Sequence, residues 1–215
     1  MYTLRVRGTV AAGKATAFEA WYQRSIANLK QQPGYQRCAL FNSLGYPAQY
    51  TSILTFDDRQ AARTCLRGPF LQFLAADPFA DLIASLEPAE AYELVHTTVG
   101  TLPAVGAVTA LVDISTDIAQ TQAFEASRTE LLNIIRQHGK GFVRNALWRF
   151  AGAPGRYLIA YAHVSSDDLA TMIAMPEVAR FLEANPLTKF GAAVMSVESC
   201  EIVLADLPVG AAVRG

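Results

Sequence analysis

The chain repeats itself, and this narrows the choice of folds more than any other property of the sequence. Ala17-Phe18-Glu19-Ala20 returns as Ala123-Phe124-Glu125-Ala126. Gly34-Tyr35 returns as Gly141-Phe142, and Pro47 and Tyr50 return as Pro154 and Tyr157. Phe73 to Pro78 is matched by Phe181 to Pro186, and Tyr92 to Val95 by Cys200 to Val203. The offset drifts only from 106 to 108. Chance matches do not keep order and spacing over such a length, so the 215 residues read as two copies of one unit.

Each copy carries the same order of elements. Leu4, Val6 and Val10 alternate with Thr3, Arg5 and Arg7, the period of a strand. Phe18, Trp21, Tyr22, Ile26 and Leu29 recur at helical spacing, and Pro33-Gly34 ends that helix. Two strands are expected near 35–42 and 50–56, joined by a turn around Gly45 and Pro47. A second helical region, 58–85, is broken at Gly68-Pro69 and Asp77-Pro78, and a last strand covers 89–95. This order, β-α-β-β-α-β, is that of a ferredoxin-like α+β unit. One such unit puts its helices on one face of the sheet and leaves the other uncovered. The sequence therefore predicts two tandem ferredoxin-like (βαββαβ) units forming an intrachain dimeric α/β barrel. The expected boundaries are 1–97 for the first repeat, 98–106 for a linker rich in Gly and Pro, 107–207 for the second repeat and 208–215 for a tail.

Composition bounds the partners. Apolar residues make up 52%, and 18 basic residues face 19 acidic ones, spread along the chain. No basic stripe argues for nucleic acid, so the expected partner is a small, mostly apolar molecule. No window approaches the roughly 20 apolar residues of a membrane span, and the N-terminus lacks the apolar core of a secretory signal. A cytoplasmic protein with no membrane partner is expected. Cys38, Cys65 and Cys200 are odd in number and far apart, which suits reduced, buried thiols better than a disulfide framework or a zinc site. His96, His138 and His163 lack a metal-ligand spacing, so no metal is predicted. The chain has no Gly-rich phosphate loop and no G-x-S-x-G elbow.

The motifs within the repeat resemble those of the antibiotic-biosynthesis monooxygenase family. The first copy supplies Phe18-Glu19-Ala20-Trp21, Pro33-Gly34-Tyr35 and Phe56 at the end of its third strand. The second supplies Phe124-Glu125-Ala126-Ser127, Gly141-Phe142 and His163. The resemblance implies a tandem-repeat member of the dimeric α/β-barrel superfamily. It implies a cofactor-independent monooxygenase acting on an aromatic polyketide-like or phenolic small molecule, as in oxidation of an anthrone to a quinone. Flavin and haem stay open, although neither helix-two region has a histidine to serve as a haem ligand. Also open are a non-catalytic small-molecule-binding or accessory role, an isomerase, cyclase or flavin-assisted oxygenase on the same barrel, and a homodimer of the fused pair. Fold does not decide between these.

The repeat also supplies an internal comparison. Trp21 becomes Ser127, which leaves either a pocket or a void that Trp148, in place of Phe41, could fill. Tyr50, Ser52, Leu54 and Phe56 become Tyr157, Ile159, Tyr161 and His163. An imidazole can serve as a general base near neutral pH, or can be a satisfied core residue. Arg144 repeats Arg37 and reads either as a tie within the barrel or as a pocket residue. Asn145 replaces Cys38 on the opposite strand face from Arg144, and its amide could polarise an oxyanion. The expected catalytic residues are thus His163, Tyr161 and Asn145. The expected substrate-binding residues are Ser127, Trp148, Tyr157 and Arg144, which puts the site in the second half.

Overall fold

A computed structural model describes residues 1–68, 79–101 and 104–206. The repeated segment 73–78 and the tail 208–215 lie outside the described residues. The chain forms two compact units. The first comprises Met1–Tyr92 with the end of the last strand from Ile202, and the second comprises Glu93–Glu201.

The first unit contains β1 (Tyr2–Val10), α1 (Ala15–Leu29), β2 (Tyr35–Ser43), β3 (Gln49–Phe56), α2 (Arg59–Arg67), α3 (Phe79–Leu82), β4 (Ile83–Leu86) and the start of β5 (Glu90–Val99). β3 lies antiparallel between β1 and β2, with Val6 opposite Ser52 and Leu40 opposite Ser52 on the other side. β4 runs antiparallel to β1, and the end of β9 (Ala193–Asp206) adds a strand beside β2. The apolar stripe expected on the first helix is the stripe that α1 buries: Phe18, Trp21, Tyr22, Ile26 and Leu29. They pack with Leu4, Leu40, Leu54 and Phe56 of the sheet and Cys65 of α2. Each large side chain so buried contributes about 1.5–3 kcal/mol. α2 begins where Asp58 accepts a hydrogen bond from the Ala61 amide at 2.8 Å, which satisfies an otherwise orphan donor.

The second unit repeats the plan. It contains β6 (Val108–Ser115), α4 (Thr121–His138), β7 (Phe142–Phe150), β8 (Arg156–His163), α5 (Ser166–Ala174), α6 (Pro176–Ala184) and most of β9. β8 lies between β6 and β7, β9 pairs with β6, and β5 lies beside β7. α5 is capped by Ser165 as α2 is by Asp58. α4 packs Phe124 and Leu132 against Leu147, Tyr157 and Ile159, while Met172 and Phe181 of α5 and α6 pack against Ile135 and Phe142. Both units are thus mixed α+β, with antiparallel strands and helices on one face.

Among the described residues no helix is long and apolar enough to cross a membrane. The three cysteines are buried free thiols. No group of three His, Cys, Asp or Glu side chains among the described residues is arranged to hold a metal ion.

Candidate functional site

The first unit is hollow between α1 and the sheet. A cavity of about 240 Å3 lies beneath Phe18, Trp21 and Tyr22, with Tyr50, Ser52 and Leu54 of β3 as its floor. Two sequence choices keep this space open. Gly8, opposite Tyr50 on β1, presents no side chain, and Ser52, opposite Val6, presents a small one. Phe79 of α3 closes one end, its ring 4.6 Å from that of Trp21.

The wall carries few polar groups. The Tyr22 hydroxyl and Ser52 Oγ lie 2.5 Å apart and share one hydrogen bond. Burial pushes the Tyr22 phenol well above its ordinary value, and Cys38 adds to this against the bond from Ser52. Tyr22 therefore stays protonated and can act as a hydrogen-bond donor. Tyr50 also borders the cavity, but its hydroxyl is spent on Glu19 of α1 at 2.7 Å. The one carboxylate on the described wall is Glu87, paired with Arg7 Nε at 2.9 Å and about half exposed (48%).

In the second unit the register of β8 sorts the expected site residues into two sets. Directly opposed residues of antiparallel strands share a face. Tyr157, Tyr161 and His163, with Asn145 opposite Tyr161, occupy the face that meets α4. Trp148, opposite Leu158, and Arg144, opposite Ala162, occupy the other face. Trp148 thus does not fill the volume that Trp21 takes in the first unit. Beside the changed position lies Arg128, whose guanidinium sits 5.5 Å from the Phe124 ring and 5.6 Å from the Phe190 ring. Its Nη2 donates to Ser127 Oγ at 3.2 Å and to the Asn185 carbonyl at 2.8 Å. Arg128, adjacent to the Trp21-to-Ser127 change, was not among the residues expected from the sequence. Its signal was a charged residue on an apolar helix stripe, where the first copy has Tyr22.

The remaining contacts divide the second-unit set further. Tyr157 donates to Glu125 at 2.9 Å, repeating the Tyr50–Glu19 bond of the first unit. His163 is fully buried, with Nδ1 3.1 Å from the Lys140 carbonyl. A carbonyl only accepts, so Nδ1 carries the proton and Nε2 is left as a lone pair with no partner among the described residues. Burial holds the imidazole below its ordinary value. Both side-chain atoms of fully buried Asn145 also lack partners among the described residues. Burial pushes the Tyr161 phenol up to about 12, with the charge of Arg128 pulling the other way. None of the seven expected residues lines the first-unit cavity.

Two α+β units of ferredoxin-like order, one with a mostly apolar cavity under its first helix, define the class of this protein. The model of the antibiotic biosynthesis monooxygenase family matches residues 1–71, within the first unit. The fold is similar, over 95% of this chain, to that of a candidate monooxygenase from Lactobacillus acidophilus NCFM (TM-score 0.75, 9% identity, 95% of that chain). It is also similar, over the same share, to a candidate monooxygenase from Fusobacterium nucleatum subsp. nucleatum (TM-score 0.73, 8% identity, 93% of that chain). An anthrone oxidase-like protein matches over 95% of this chain and 92% of its own (TM-score 0.60, 9% identity). At such identities the likeness is one of fold. No curated protein matches the chain.

Proposed function

We propose that the chain is a cofactor-independent monooxygenase that oxidises a phenolic or anthrone-type aromatic molecule in the cavity of its first unit. The observation that carries this reading is the cavity itself: aromatic walls from Phe18, Trp21 and Tyr50, one protonated phenol at Tyr22 and one carboxylate at Glu87. The family match lies over the residues that build α1, β2 and β3, and one structure of similar fold is named anthrone oxidase-like. The volume is just under the range of about 300–1,000 Å3 typical of drug-sized ligand sites, which suits a compact ring system.

The chemistry needs a base, an oxyanion partner and molecular oxygen. Glu87 takes the proton from the activated ring carbon, and Tyr22 donates a hydrogen bond to the enolate oxygen that results. The electron-rich anion passes one electron to O2, the radical pair combines to a peroxide anion on that carbon, and the proton held by Glu87 returns to make the hydroperoxide. Loss of water leaves a ketone, so one oxygen atom enters the product and the other leaves as water. Incubation with emodin anthrone under air is expected to consume one O2 per quinone formed. Tyr22→Phe should lower kcat by about 10²-fold, the loss typical of one oxyanion donor. Quinone formation at an unchanged rate without oxygen would reject the reading.

A second reading keeps the oxidation in the second unit, with His163 as base, Tyr161 or Asn145 as oxyanion partner, and Ser127 and Tyr157 beside the substrate, while Trp148 and Arg144, on the other sheet face, drop out of the site. The unpartnered Nε2 of His163 and amide of Asn145 favour it. His163→Ala separates the two readings: turnover disappears under the second and persists under the first.

A further inference from the structure

We propose that the second unit holds a binding site for a small organic carboxylate, built by Arg128, Tyr161 and Asn145. The proposal rests on neither reading of the oxidation. It begins from a shift of empty space between the two units. Where the first unit is hollow at Gly8 and Ser52, the second has Ile114 and Ile159 at the same register positions. One pair further along the sheet the exchange reverses: Leu4 opposite Leu54 becomes Ala110 opposite Tyr161. Trp21 on the helix becomes Ser127. Bulk is added in one place and removed beside it.

Solvent reaches that place. Ala110, Val112 and Tyr161 are only partly buried although they lie on the helix-facing side, while Thr109 and Leu111 on the other face of β6 are fully buried. Beside this opening sits Arg128, buried to 3% exposure. No carboxylate among the described residues pairs with it, and its Nε–H has no acceptor. Glu125, three residues earlier, is already committed to Tyr157 and Arg149. A guanidinium stays charged at physiological pH, and among the described residues this buried cation is held by a carbonyl, a hydroxyl and two ring faces, with no counter-ion. On the helix-facing side of the sheet, Asn145, the register partner of Tyr161, offers a donor and an acceptor with no partner among the described residues.

These groups define the ligand. One positive charge with two neutral donors matches a monoanion, whereas a phosphate dianion calls for more cationic charge. The flat face of a carboxylate suits the guanidinium, and Phe124, Phe190 and Val112 favour an organic tail over a bare inorganic ion.

The test is calorimetric titration of the full chain with sodium benzoate at constant ionic strength, with benzamide as its uncharged counterpart and inorganic phosphate as the dianion. Benzoate is expected to bind one per chain and to raise Tm, with benzamide and phosphate at least tenfold weaker. Arg128→Met, Tyr161→Leu and Asn145→Cys should each weaken benzoate at least tenfold, while Tyr22→Phe in the first-unit cavity leaves it unchanged. Leu and Cys are the residues the first unit carries at the latter two positions, so those variants decide the matter if Arg128→Met does not fold. Absence of benzoate binding, equal binding of benzamide, or wild-type affinity in Tyr161→Leu and Asn145→Cys would overturn the proposal.

Discussion

His163 stands where the first repeat has Phe56, and both side chains are fully buried. The comparison of the copies marked the position, but not the contact that governs it. The Lys140 carbonyl fixes the proton on Nδ1, and burial makes the charged form unfavourable in the folded state. The sign of the resulting pH dependence follows. The unfolded chain binds a proton near pH 6.5 and the folded chain only below that, so stability is full above about pH 6.5. It falls as the pH drops from there toward the lower folded value. Thermal unfolding of wild type and His163→Phe at pH 7.5 and 5.5 should show a smaller acid-induced drop in Tm for the variant. Equal drops would remove His163 from the account. Arg128 teaches the complementary lesson. Its place on the α4 stripe was readable as a charge among apolar residues, but its second ring and its carbonyl partner come from Phe190 and Asn185, about 60 residues away.

At the level of elements, the turn from first helix to second strand is built the same way twice. Gly34 and Gly141 both adopt positive φ, +71° and +61°. Their carbonyls accept from the Asp57 and Val164 amides, each at 2.8 Å, which ties the start of β2 or β7 to the end of β3 or β8. A methyl group at residue 34 would fall 2.5 Å from the Ala61 side chain, and one at residue 141 would collide with Asp168. Left-handed backbone alone costs a non-glycine residue about 1–2 kcal/mol, and the clash adds to it. Gly34→Ala and Gly141→Ala should each lower unfolding free energy in urea by more than this amount. Gly45→Ala, with nothing within 4 Å, should change it little. The helix-to-sheet straps Glu19–Tyr50 and Glu125–Tyr157 are likewise repeated. A hydrogen bond to a charged group is worth about 1.5–3 kcal/mol, so Tyr50→Phe should lose that much in the same assay. These glycines and tyrosines were legible early because identical local geometry demands identical residues in both copies.

For the molecule as a whole, the first unit depends on residues from the far end of the chain. From Ile202 onward β9 belongs to that unit and lies beside β2. Asp206 accepts from the Tyr35 hydroxyl at 3.1 Å and pairs with Lys30 at 2.9 Å. Removing residues 202–215 leaves the edge of β2 without its neighbour, and unpaired backbone groups at an edge are a liability. The truncated chain is expected to unfold at a clearly lower temperature than full-length protein, whereas removal of 208–215 alone, which keeps β9, should have little effect. Similar melting of all three would show that the first unit stands without the strand.

The order of elements, the duplication and the helix stripe were determined by sequence alone, since periodicity and turn chemistry act over a few residues and recur at a constant offset. The place of the cavity was decided by tertiary structure. Empty space is set by what lies across a strand pair, so Gly8 matters because it faces Tyr50, and Ser52 because it faces Val6. Their counterparts Ile114 and Ile159 close the same space. That is why the first unit, which keeps its aromatic residues, is the one with the described cavity, while Trp148, a natural filler by volume, lies on the wrong face of its strand to fill anything under α4.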